Sequence, residues 1–258
     1  MKIVKVLLPL AFLFCLASCV EINEDINIKK DGSGEYSMNM DMSKLLEMMQ
    51  STIGKDELEK QMPQKKMDTS ISMKNLVDTS TSISAEKKAL LGEGHLHMSL
   101  NMDQNILKTD MHFPFKNQNQ LQELYTSIGD GSLGTGQMLK NLSPGKTDSP
   151  ENTQGGDPDF GKFNSIYTFT SKSGYISRTV NKEKFNALKE SPQYAQMKQA
   201  GDMGMEVPYT ITIHLPKPVK KITNTFAKLS DDKKTVTIKY NLTEVMEHPE
   251  KFEYTIEY

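Results

Sequence analysis

The sequence predicts an α+β fold: an antiparallel sheet built of β-hairpins followed by short helices packed on one face. Three observations lead there. Apolar and polar residues alternate along several segments, the pattern of strands in a sheet with one covered face. Short runs rich in Gly, Asp, Ser and Asn separate those segments at hairpin spacing. Three of the hairpins then run on into a helical period.

The first segment is not part of that fold. Lys2 and Lys5 precede an almost wholly apolar run over 6–16, which ends in Ala17, Ser18 and Cys19. This predicts an export signal over residues 1–18. Its apolar stretch is shorter than the roughly 20 residues a membrane-spanning helix needs. Leu16-Ala17-Ser18-Cys19 resembles the lipobox of bacterial lipoproteins, an aliphatic residue, two small ones and a cysteine. The resemblance implies that Cys19 becomes the first residue of the mature chain, with a diacylglycerol on its sulfur and a further acyl chain on its amine. Two or three acyl chains, at about 0.8 kcal/mol per buried methylene, anchor a protein far more firmly than one. The alternative is an ordinary secretory signal cut near Ala17, with Cys19 left as a free thiol. Cys15 leaves with the signal in either case, so the mature chain is expected to have no disulfide and no thiolate metal site. Val20 follows the cysteine where an aspartate would resemble the inner-membrane retention signal of enteric bacteria, which points to the outer membrane. Glu21, Glu24 and Asp25 resemble the acidic surface-export signals of some bacteroidetes lipoproteins, and they are equally the polar positions of a first strand. Which face of the membrane the protein occupies stays open.

From residue 19 to 128 the chain reads as an α+β region. Val20, Ile22, Ile26 and Ile28 alternate, Asp31-Gly32-Ser33-Gly34 supplies turn chemistry, and Tyr36, Met38, Met40 and Met42 resume the alternation, which is a hairpin. Asp41 or Ser43 can cap a helix over 44–51, and a second short helix fits 55–61 ahead of Pro63. Strands over 94–101 and 106–115 flank a turn at 102–105, and an amphipathic helix follows over 118–128. Residues 129–161 are Gly-, Ser-, Pro- and Asn-rich with hardly an apolar side chain, the composition of a loop. From 162 to 258 the chain is richer in strands and is expected to belong to the same domain. A third hairpin spans 163–180, with a helix capped by Asn181, and a lesser loop covers 193–206. A strand at 209–215, a hairpin over 226–240 and a terminal strand at 252–258 complete the pattern.

The acidic first strand with its Asp31-Gly32-Ser33-Gly34 turn, the Met-rich strand after it, and Leu229 to Thr237 with Asp231-Asp232-Lys233-Lys234 resemble the LppM-like domain of bacterial lipoproteins. The resemblance implies a membrane-anchored α+β module and carries no catalytic residues.

Composition narrows the function. Lys and Arg number 31 against 33 Asp and Glu, a net charge of −2 that provides no field to gather nucleic acid. Arginine occurs once, at Arg178, so the rigid fork suited to phosphate is nearly missing. His95 and His97 share one face of a strand with His112 on its partner, three imidazoles that could hold zinc or copper, yet Leu96, Met98 and Leu100 place them on the solvated side. His214 and His248 stand alone. Met38, Met40, Met42, Met203 and Met205 raise the possibility of copper(I), but the first three alternate with polar residues as core side chains do. Ser143-Pro144-Gly145-Lys146-Thr147 lacks the upstream glycine of a phosphate loop. The expectation is a lipid-anchored, non-catalytic envelope protein with no cofactor, binding a protein or glycan. An envelope hydrolase and a metal carrier are the alternatives.

Overall fold

The structure, a computed structural model, describes residues 18, 20–61, 64–78, 83–129, 161–202 and 204–258. Cys19, residues 1–17 of the export signal expected over 1–18, the stretch at 130–160 with its Ser143 to Thr147 run, and Met203 lie outside the described residues.

The chain enters through the hairpin read from its alternation. β1 (Glu21–Ile28) and β2 (Gly34–Asp41) pair antiparallel from Glu21 opposite Asp41 to Ile28 opposite Gly34. The turn between them is shaped by Asp31, whose carboxylate accepts from the Ser33 amide at 3.0 Å and its hydroxyl at 2.7 Å, and by Gly32 at φ +83°. α1 (Ser43–Ile53) and α2 (Lys55–Gln61) follow, separated by Gly54 in a left-handed conformation. β3 (Lys66–Ser72), α3 (Met73–Val77) and α4 (Ala85–Gly92) come next, then β4 (His95–Asn101), β5 (Ile106–Phe115) and α5 (Gln118–Gly129). Beyond residue 160 the order is α6 (Gly161–Ser165), β6 (Tyr167–Lys172), β7 (Tyr175–Val180), α7 (Lys182–Lys189), α8 (Pro192–Asp202) and β8 (Pro208–His214). β9 (Lys221–Ile222), β10 (Lys228–Leu229), β11 (Thr235–Asn241), α9 (Leu242–Val245), a 3-10 turn (Pro249–Phe252) and β12 (Tyr254–Glu257) end the chain.

These strands make two sheets. The larger runs β10-β11-β8-β1-β2-β5-β4-β3, and the smaller runs β6-β7-β12-β9. The fold is α+β as expected, with two differences of detail. The hairpins are divided between two sheets, and β1 pairs with β8 in parallel while its other neighbour, β2, is antiparallel. The last third of the chain therefore both widens the large sheet and completes the small one.

The inner face of the large sheet carries Ile22, Ile26, Tyr36, Met38, Met111 and Phe113, all buried. Across the core, α5 buries Leu121, Leu124, Tyr125 and Ile128, the spacing of one helical face. Tyr125 stacks on Phe169 of β6 at 4.2 Å between centroids and meets Tyr36 of β2 edge-on at 6.2 Å, so this helix is wedged between the sheets.

Two segments differ from the sequence expectation. Phe163 and Ile166 are both buried, and residues 161–165 form a helix where a strand start was expected. The expected loop over 193–206 is largely the helix α8: the Ser191 hydroxyl accepts from the Tyr194 amide at 3.2 Å, Pro192 opens the first turn, and Met197 is buried. No described helix is long and apolar enough to cross a membrane.

The β1–β2 turn provides a stability test. A Cβ on Gly34 would lie 1.8 Å from the Asn27 carbonyl oxygen and 2.5 Å from the Phe115 ring, whereas one on Gly32 meets nothing within 4 Å. Gly34→Ala should cost about 1–3 kcal/mol, and Gly32→Ala, strained only by its positive φ, about 1 kcal/mol. Urea midpoints at unchanged slope will read both.

Candidate functional site

The histidines sit where alternation places them, on the outer, solvent-facing side of the large sheet. His95 is directly opposite His112, but His97 is opposite Asp110. Two of these rings are engaged separately: His97 Nε2 lies 3.3 Å from an Asp68 carboxylate oxygen, and His112 Nδ1 lies 3.5 Å from one of Glu35. His214 pairs with Asp25 at 3.0 Å, a partner the sequence did not single out. Among the described residues, no group of three His, Cys, Asp or Glu side chains is arranged to hold a metal ion. Met38, Met40 and Met42 are buried against the core.

The functional groups brought together most closely are elsewhere, between the sheets. Glu24, on the inward side of β1, is 1% exposed, and Arg178 of β7 is fully buried. The Tyr209 hydroxyl of β8 donates to Glu24 Oε2 at 2.5 Å, and Asn164 of α6 donates through Nδ2 to that same hydroxyl at 2.8 Å. Arg178 donates to Asn164 Oδ1 at 3.3 Å and to the Tyr240 hydroxyl of β11 at 3.1 Å, and its guanidinium lies 3.8 Å over the Tyr167 ring. A continuous polar chain thus joins β1 and β8 of one sheet to β7 of the other through α6.

The charges perturb one another in definite directions. Burial raises the Glu24 carboxyl above its ordinary range, and the Arg178 charge and the Tyr209 hydroxyl bond oppose that rise. Burial likewise pushes the Tyr167 phenol up to about 12. Arg178 stays charged at any ordinary pH. Glu24, Asn164, Arg178 and Tyr209 are all buried.

An open site lies at one end of the sheets, where the β1–β2 turn, the β6–β7 turn, the start of α5 and the segment after β8 meet. It is a cleft of about 260 Å³ with Lys29, Lys30 and Lys217 among its lining residues. The Tyr258 hydroxyl accepts from Gln118 Nε2 at 2.6 Å, and the Tyr258 amide donates to the Gly174 carbonyl at 3.0 Å. Asp31 is the one acidic side chain among the residues lining the cleft, and its bonds to Ser33 lower its pKa. Three ammonium groups and several amide and hydroxyl groups can attract an anion or bind hydroxyls. The sequence showed each turn, but not that they converge.

The chain matches no family model, no curated protein and no solved structure.

Two substitutions test the buried chain. Arg178→Met removes the donor to Asn164 and Tyr240 and leaves Glu24 without its nearest compensating charge; a loss of about 3–5 kcal/mol is expected by urea titration. Arg178→Lys should recover only part of it, because one ammonium cannot serve both acceptors while lying flat on Tyr167. Glu24 gives a pH test. Its folded-state pKa is raised, so ionising it costs stability that is fully retained below the unfolded pKa and lost as pH rises towards the folded one. Glu24→Gln should abolish that decline in denaturant midpoints measured from about pH 4 to about pH 8.

Proposed function

We propose that this protein is a lipid-anchored component of a bacterial cell envelope, held in the outer membrane through Cys19, and that its α+β domain is a non-catalytic binding module for an envelope protein or glycan. The observation that carries this is the Leu16-Ala17-Ser18-Cys19 sequence at the end of a positively started apolar run. A structural fact supports it: Val20 is already buried and β1 begins at Glu21, so the folded body starts directly after the cysteine that would become the mature terminus.

Two observations support the non-catalytic reading: the Glu24–Arg178 chain is buried, and Asp31 is the one acidic side chain among the residues lining the cleft. What the cleft does present, lysines beside hydroxyl and amide groups, suits recognition of an anionic or hydroxyl-rich partner.

Metabolic labelling with a tagged fatty acid tests the anchor. Native protein should take up label and fractionate with membranes, and Cys19→Ser should do neither. Equal labelling of both would reject lipidation at this position.

A further inference from the structure

Five large apolar side chains are exposed among the described residues, and three of them lie on α1: Met48, Met49 and Ile53, at 40%, 37% and 44%. The helix has a wider apolar stripe than the body of the protein uses. Leu46 is buried against Leu58, Leu100 and Met102, and Leu45 is half-buried against the core. Met49 and Ile53, one turn apart, continue that stripe outward into solvent.

α1 is also held firmly at a particular end of the sheet. Glu21 lies opposite Asp41, and α1 begins two residues beyond, at Ser43. The start of α1 is therefore within about two strand spacings, roughly 10 Å, of the point where the chain enters β1. Asp41 accepts from the Ser43 amide at 3.0 Å, Ser43 accepts from the Leu107 amide at 3.1 Å, and Gln50 donates to the Met102 carbonyl at 2.9 Å. The helix cannot swing away without breaking these bonds. Between Cys19 and β1 there is only Val20, which is buried, so a lipid on Cys19 would have no leash.

Resting on the lipid-anchored reading above, we propose that the outward apolar edge of α1, Met49 and Ile53, sits in the headgroup layer of the bilayer that holds Cys19. The occupant of this face is a lipid surface. α1 is then a second membrane contact beside the anchor, and two contacts fix the orientation of the domain. The cleft with Lys29 and Lys217 lies past the opposite ends of β1 and β8, about 26 Å away by the length of an eight-residue strand, and faces away from the membrane.

The chain has no tryptophan, so a single introduced indole reports its own surroundings. The experiment uses the full-length lipidated protein in phosphatidylcholine vesicles with either plain or brominated acyl chains, carrying Met49→Trp, Ile53→Trp or Ser173→Trp. Ser173 lies in the exposed β6–β7 turn beside the cleft. Brominated lipid should quench the indole at 49 or 53 about twofold and leave the one at 173 unchanged. Mass spectrometry of the same samples establishes whether Cys19 carries its acyl chains. Equal emission in both vesicle types at 49 and 53, on protein whose Cys19 is acylated, overturns the contact while leaving the anchor intact and assigns this face to something other than lipid. A bare Cys19 rejects the anchored reading, and this inference with it.

Discussion

The guanidinium of Arg178 is the point on which the two sheets depend. It is the chain's only arginine, and it is fully buried, within hydrogen-bond reach of Asn164 and Tyr240 and flat against Tyr167. A buried cation is tolerable only where its neighbours return what water supplied. Here the return comes from both sheets: Tyr167 is on β6, Tyr240 on β11, and Glu24, reached through Asn164 and Tyr209, on β1. Sliding one sheet across the other by a residue, about 3.3 Å, would carry the Tyr240 hydroxyl out of reach of the guanidinium. An apolar interface tolerates sliding; this one is held by directional bonds, with Glu24 Oε1 and Arg178 Nε left without a hydrogen-bond partner.

Much of the architecture was legible because alternation and turn chemistry are local. The first hairpin, the strands at 106–115 and 175–180, and the Asn181 cap all match their segments closely. What was missed had a weaker local signal. β3 is an edge strand whose half-buried face carries only Met67 and Ile71 as apolar residues, with no fully buried residue. α8 is marked by a Ser191-Pro192 start whose meaning was masked by the glycines near its end, one of which, Gly201, lies against Thr243 of α9. Pairing of β1 with β8 joins residues more than 180 positions apart in sequence, and no local pattern encodes that.

The buried polar chain did leave a trace in the sequence. Glu24 falls on the same parity as Val20, Ile22, Ile26 and Ile28, so alternation alone put a carboxylate on the core side of β1. Arg178 likewise shares parity with Ile176 and Val180. A charge at an inward position in an otherwise apolar row calls for a partner from the facing layer, and two such positions of opposite sign indicate that the partners meet. The histidines drew attention because of their residue type; the informative feature was charge in the wrong phase. The same rule explains why His97, in the right phase for solvent, is engaged only by surface neighbours.

The anchor proposed at Cys19 would make β1 a mechanical element as well as a structural one. A tether there would transmit load directly into β1, since Val20 is buried and no slack intervenes. β1 is interior to the large sheet, bonded along its length to β2 on one side and to β8 on the other. Pulling a strand along its own axis loads all of these bonds in shear at once, whereas peeling an edge strand breaks them one at a time. β8, the parallel partner, is itself held by β11 from Thr235 to Asn241, so the load spreads into the part of the sheet made by the end of the chain. With one cysteine in the expected mature chain, no disulfide can share that load. Resistance to extraction therefore falls on the hydrogen-bonded centre of the sheet and on the Glu24–Arg178 chain beneath it, which ties β1 to the second sheet at mid-strand.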